Sequence, residues 1–263
     1  MLFRTNTHKG GPGLRIRPRL LHILLPLALL LFSGCSWLIR PPADNAYARQ
    51  TLDRLSHQNT SLQRCKGLMR IQLQNGSQTI TARAAWAMAV PGRLRVELLN
   101  MLGQPMTSLA SDGQFITIIS HHDQSHYRFI QSRSALKRLI HLPIGIEELQ
   151  ALLAGRPPLP PYYAAQMDGQ AIVLKNRWRK ILAKLLLDET DQVQILKVYD
   201  DDGALRYQVR WLQWQVVGPY TVPRRLQVDG GQGQRLNLTM DRFWADVQLP
   251  PKTFILESPS QIN

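Results

Sequence analysis

The chain has 263 residues, 44% of them hydrophobic, a formal charge of +14 and two cysteines, enough for one globular domain once any targeting segment is set aside. The basic excess suits acidic partners. However, no zinc-finger, helix-turn-helix or aromatic RNA-binding motif accompanies it, so nucleic acid is excluded as a partner.

The N-terminal segment is basic, with Arg4, Lys9, Arg15, Arg17 and Arg19 and no acid, and it leads into the apolar run LLHILLPLALLLF, Leu20 to Phe32. At about 13 residues that run suits a signal-peptide core and falls short of a membrane span. It ends in LFSGC, where Ser33 and Gly34 precede Cys35, and this resembles the lipobox of bacterial lipoproteins, with Phe32 in place of the usual leucine. Residues 1–34 are accordingly expected to be removed and Cys35 to carry the acyl chains, palmitate among them, that anchor the mature chain. Ser36 follows the cysteine where an aspartate favours retention at the inner membrane, so the expected address is the periplasmic face of the outer membrane. Without the five basic residues of the leader the charge is 14 − 5 = +9. With Cys35 acylated, Cys65 has no disulfide partner and is read as a small buried residue.

Residues 35–45, with Pro41 and Pro42, read as a tether. Asp44 then precedes Ala48, Leu52 and Leu55 at helical spacing, which predicts a capped amphipathic helix. From Lys66 the period becomes two. GLMRIQLQ, ITARAAWAMAV, RLRVELL, PMTSLAS, QFITIIS and HYRFI read as consecutive antiparallel strands with short links. In the second of them the outer face ends in alanines, which leaves volume unfilled on that side. SALKRLIHL and GIEELQALLAG predict two short helices, the second stopping at Gly155, and RPPLPP breaks the chain. Alternation resumes in AIVLK, RKILAKLLLDE, VQILKVYD, ALRYQVRWLQWQV, TVPRRLQVD and QRLNLTMDRFWAD.

The expected fold is mainly β with an α lid: an antiparallel, strongly curved, unclosed half-barrel of about eleven strands covered by about three helices. The inner faces are apolar, and Trp86, Met88, Leu94, Val96, Leu98, Trp211, Leu238 and Met240 are candidates to line a cavity beneath the lid. Trp211 and Trp214 are an odd number of residues apart and are expected on opposite faces.

Signatures of common enzymes are missing: GxSxG, Walker, HExxH and CxxC patterns do not occur, so no catalytic residue, cofactor or metal is assigned. His121, His122 and His126 in HHDQSH offer ligand-type side chains, but their flanks alternate like strands and a solvated hairpin tip is the better reading. Asp200, Asp201 and Asp202 before Gly203 lack the alternate ligands and distal Glu of a calcium loop and read as a turn. One link is anomalous. ELLNMLGQP has Asn100 and Gly103 suited to a turn, yet places Met101 and Leu102 at its tip, where polar residues belong.

In RLRVELLNMLGQPMTSLASDG, LKRLIHLPIGIEELQALLAGRP and VPRRLQVDGGQGQRLNLTMDRFW the chain resembles the LolB family of outer-membrane lipoprotein receptors. That family has an Asn-Pro-Leu-Gly turn at the first place, a helical pair around a proline at the second and a Gly-Gly hairpin at the third. Asn100, Leu102 and Gly103 match the turn, and Met101 stands at its proline. The resemblance implies a LolA/LolB-like half-barrel over residues 46–263, a monomer. It implies that lipoprotein acyl chains are received from a LolA-like periplasmic carrier and inserted into outer-membrane lipid. Leu102 would serve insertion, with Met101 adding apolar area. Two other readings stay open: a lipid- or glycolipid-binding envelope lipoprotein of the same fold, and a non-enzymatic envelope assembly partner.

Overall fold

The structure, a computed structural model, describes residues 45–132 and 135–257. The leader, Cys35 and nearly all of the tether, with Asp44, lie outside these residues.

Helix α1 (Ala46–His57) is capped by Asn45, whose side chain accepts from the amides of Tyr47 and Ala48, so the cap falls one residue after Asp44. Ala48, Leu52 and Leu55 are buried as their spacing predicts.

Strands β1 (Arg64–Asn75), β2 (Gln78–Ala89), β3 (Arg93–Leu99), β4 (Pro105–Asp112), β5 (Phe115–Ser120) and β6 (His126–Ile130) form an antiparallel meander. Helices α2 (Ala135–Ile140) and α3 (Ile146–Leu153) interrupt it. A second meander follows: β7 (Ala164–Asp168), β8 (Ala171–Lys175), β9 (Ile181–Leu187), β10 (Val193–Tyr199), β11 (Leu205–Val217), β12 (Tyr220–Gly230) and β13 (Arg235–Ala245). Pairing of β13 with β1 joins the two into one sheet, order β6-β5-β4-β3-β2-β1-β13-β12-β11-β10-β9-β8-β7. The sheet therefore has 13 strands rather than eleven, and it is unclosed, with β6 and β7 at its edges.

AAQMD, which becomes β7, carries no β-branched or aromatic residue. Its pairing with β8 makes it a strand, and its Ala165 carbonyl accepts from the Asn45 amide at 3.2 Å.

Apolar side chains of the inner face and of all three helices form one core cluster. On the outer face, the space left by alanines is partly filled by the chain's own C-terminal segment: Leu249 and Phe254 pack on Ala87 and Ala89.

The lid helices are fixed by buried polar contacts as well as packing. Gln150 of α3 accepts from the Gly92 amide at 2.8 Å and donates to the carbonyls of Ala89 and Arg93 at 3.2 and 2.7 Å, which satisfies the backbone of the β2–β3 turn. After Ala154 the chain turns at Gly155 with φ +77°, and a Cβ there would lie 2.9 Å from the Thr221 carbonyl oxygen, so only glycine fits.

Trp211 and Trp214 stack, centroids 6.1 Å apart and planes within 3°. They share a face, contrary to the odd-spacing rule, because register shifts between Trp211 and Gln213 and between Gln213 and Trp214 reset the alternation.

Candidate functional site

Between the lid helices and the first meander lies a cavity of about 380 Å³, toward the small end of ligand-cavity sizes of roughly 300–1,000 Å³. Its floor comes from β1 through Met69, Ile71 and Leu73, from β3 through Leu94, Val96 and Leu98, and from β13 through Leu236 and Leu238. Leu109 of β4 and Ile118 of β5 extend the floor, and the roof is Leu136, Leu139 and Ile140 of α2 with Leu149 and Leu153 of α3. Thr107 alone among the wall residues carries a polar side chain.

The register explains the hollow. Ile71 lies opposite Ala82, and Met69 opposite Ala84, so small side chains of β2 sit beside large ones of β1 and leave space under the lid. Ile80, further toward the β1–β2 turn, belongs to the wall yet is 60% exposed, which places the mouth at that end of the strands.

Of the residues expected on the wall, Leu94, Val96, Leu98 and Leu238 are there. Trp86, Met88, Trp211 and Met240 are not; each is buried in packed core. Trp86 fills the place that Gly67 vacates, where a Cβ would come within 2.7 Å of its Nε1, and meets Phe243 edge-on at 5.3 Å. Trp211 is occupied by its stack on Trp214. Met88 pairs with Cys65 and Leu94, and Met240 with Met69, positions where large side chains close the sheet's interior. The residues that sequence reading left off the wall were visible in the patterns themselves: Leu109 and Ile118 in strand alternation, the α2 and α3 leucines in the helical stripes.

The anomalous turn sits at the mouth end, since β2 and β3 pair Arg83 with Leu99 immediately before it. Met101 is 99% and Leu102 84% exposed. Asn100 builds the turn. Its Oδ1 accepts from the amides of Leu102 and Gln104, each at 2.9 Å, while its backbone carbonyl accepts from Gly103, which has φ +81°. With the loop backbone bonded inward, the side chains of residues 101 and 102 point to solvent.

No acid–base or nucleophilic constellation adjoins the cavity. Among the described residues no three His, Cys, Asp or Glu side chains are grouped to hold a metal ion. His121, His122 and His126 lie at the β5–β6 tip, where His121 Nε2 shares a hydrogen bond with Ser108 Oγ at 2.9 Å. Asp200 shapes the β10–β11 turn by accepting from the amides of Asp202 and Ala204. Cys65 is buried and free, and burial pushes its thiol pKa far up. No helix of the described residues is long and apolar enough to cross a membrane.

Comparison with known proteins agrees with this geometry. The solved structures that the fold resembles include a DUF1329 family protein from Desulfovibrio piger (TM-score 0.57, 10% identity, 80% of this chain and 96% of that one). Another is a LolA superfamily protein from Nitrosomonas europaea (TM-score 0.54, 11% identity, 80% and 97%). A third is a putative outer membrane lipoprotein-sorting protein domain from Vibrio parahaemolyticus (TM-score 0.53, 12% identity, 79% and 94%). In sequence, the chain is 24% identical over 230 residues to the outer-membrane lipoprotein LolB of Erwinia tasmaniensis, covering 84% of this chain and 94% of that protein. The family model "Outer membrane lipoprotein LolB" matches residues 65–244, from the first strand to the last, and the chain belongs to the LolB family.

Proposed function

We propose that this chain, anchored through Cys35 at the periplasmic face of the outer membrane, receives the acyl chains of lipoproteins from a LolA-like soluble carrier and passes them into the bilayer. The observation that carries this reading is an almost wholly apolar cavity with its mouth at the same end as two exposed apolar side chains, Met101 and Leu102.

The chemistry required is solvation. Sheltering about ten methylenes contributes roughly 8 kcal/mol before the cost of ordering the chain. A bilayer interior offers the same apolar surroundings, so the final transfer exchanges one such environment for another and needs no bond-making residue. Leu102 lowers the barrier between them. Burying one leucine contributes roughly 1.5–3 kcal/mol, enough for a reversible dip into lipid and too little to hold the protein there.

Depletion followed by fractionation tests the function. Loss of this protein should strand lipoproteins in the periplasm on their carrier, and an unchanged outer-membrane complement would refute the reading.

A further inference from the structure

The turn that displays Leu102 recurs on the other arm of the sheet. In the β8–β9 turn, NRWRK, Asn176 Oδ1 accepts from the amides of Trp178 and Lys180 at 2.9 and 3.0 Å. The Asn176 amide donates to the Lys180 carbonyl, the Asn176 carbonyl accepts from Arg179, and Arg179 has φ +65°. Each of these bonds has its counterpart around Asn100, where Leu102 occupies the place of Trp178 and Gly103 that of Arg179. The same pattern shapes the turns at Asp188 and Asp200, but the equivalent positions there are Thr190 and Asp202, both polar. Of the four, the two built on asparagine carry a large apolar side chain at that position.

Both lie at one end of the sheet. The register runs from Lys175 opposite Ile181, through Tyr199 opposite Leu205, Tyr207 opposite Gly230 and Asp229 opposite Arg235, to Gln74 opposite Arg235 and Arg83 opposite Leu99. It therefore brings the turns at 76–77, 100–104, 176–180 and 200–204 to the end where the cavity opens.

Trp178 is 66% exposed, a large apolar ring left mostly in water. The Arg177 guanidinium lies over the ring, 4.0 Å from its centroid, and Arg179 follows. A tryptophan between arginines matches the boundary layer of a phospholipid bilayer, where the ring settles at the level of the headgroups and guanidinium forks bond phosphate oxygens. Lys180 contributes less, because its Nζ donates to the Asp201 carbonyl at 3.0 Å. The carboxylates of the neighbouring 200–204 turn offset the arginine charge at long range. The contact therefore depends on ring partitioning and short-range phosphate bonds.

We infer that Trp178, with Arg177 and Arg179, is a second membrane contact, to phospholipid headgroups, and that together with the Met101–Leu102 tip it turns the mouth end of the half-barrel toward the bilayer. This rests on the proposed membrane-facing function and extends it to the second arm.

The test uses the full lipidated chain reconstituted into phospholipid vesicles, with bromines near the carbonyl end of the acyl chains as the fluorescence quencher. Subtracting the emission of Trp178→Phe isolates Trp178, and Trp244→Phe, at a residue near the opposite end of the strands, serves as the control. The Trp178 component should be quenched at least twofold by brominated lipid while the Trp244 component is not. A Trp178 component equally bright in brominated and plain vesicles would overturn the inference. Delivery of lipoproteins to the same vesicles by the unmutated chain is measured alongside: delivery with an unquenched Trp178 rejects this contact alone, and no delivery with a quenched Trp178 rejects the transfer function alone.

Discussion

Arg206 of β11 donates through Nη2 to both carboxylate oxygens of Glu148 on α3, at 2.9 and 2.7 Å. Its Nε donates to the Pro143 carbonyl at 2.9 Å, so one guanidinium holds both the helix and the segment leading into it. Glu148 also accepts from the Tyr207 hydroxyl at 3.1 Å and from the Gly145 amide at 2.7 Å. Burial, reinforced by the charge of Glu148, holds the Tyr207 pKa well above its ordinary value, so the phenol stays a donor. The roof of the cavity is thus bolted to the second meander by charged hydrogen bonds.

Removing Arg206 should loosen the roof. Arg206→Met leaves Glu148 half-buried without its main partner and should lower stability by about 1.5–3 kcal/mol, read as a shift of the urea midpoint. Amide exchange at Leu152 and Leu153 should quicken more than exchange in β11 and β12.

Leu102 makes a different prediction, because its side chain stabilises nothing within the domain. Leu102→Glu should change stability by no more than about 0.5 kcal/mol, yet it sets a charge where the proposed function requires entry into a bilayer, and delivery of lipoproteins to vesicles should stop. Delivery at the wild-type rate would remove Leu102 from the account.

Filling the cavity separates binding from membrane contact. Ala82→Phe places a ring among Ile71, Leu98 and Leu238 at a strain cost of about 1–3 kcal/mol. Acyl-chain uptake, followed with a fluorescent fatty acid, should fall at least tenfold while the Met101–Leu102 tip is untouched.

Cys65 reports on closure of the core. Its folded-state thiol pKa lies far above the unfolded value because burial disfavours the thiolate. Its contribution to stability is complete below the unfolded value of about 8.5, and it declines as pH rises past that value because the unfolded chain ionises first. A thiol reagent at pH 8 should label Cys65 only at the rate of unfolding, and immediate labelling of the native protein would contradict its burial.

Much of this was legible in the residues. Alternation in GLMRIQLQ and RLRVELL marks the concave face, and the helical spacing in SALKRLIHL and GIEELQALLAG marks the helices that cover it. Long-range pairing was not. AAQMD is a strand only because β8 offers a partner and α1 starts above it. Trp211 and Trp214 share a face only because the ladder shifts between them, which strict period-two counting cannot register. Trp86 looked like cavity wall because its face is right; that Gly67 lies directly opposite and admits its ring is a matter of register. Composition alone marks the turn at Asn100 as anomalous. Its likeness to the turn at Asn176 emerged only from the hydrogen bonds, since NMLGQ and NRWRK have just the asparagine in common.

The central claim is that the hollow beneath α2 and α3 accepts a lipoprotein's acyl chain. The most direct measurement places a photoreactive benzophenone amino acid at Leu109, on the cavity floor, and presents a carrier-loaded lipoprotein under illumination. A crosslink to the acylated lipoprotein, absent for the same protein without its acyl chains and lost when Ala82→Phe fills the hollow, is the predicted result. Equal crosslinking of acylated and unacylated forms, or none to either, would contradict it.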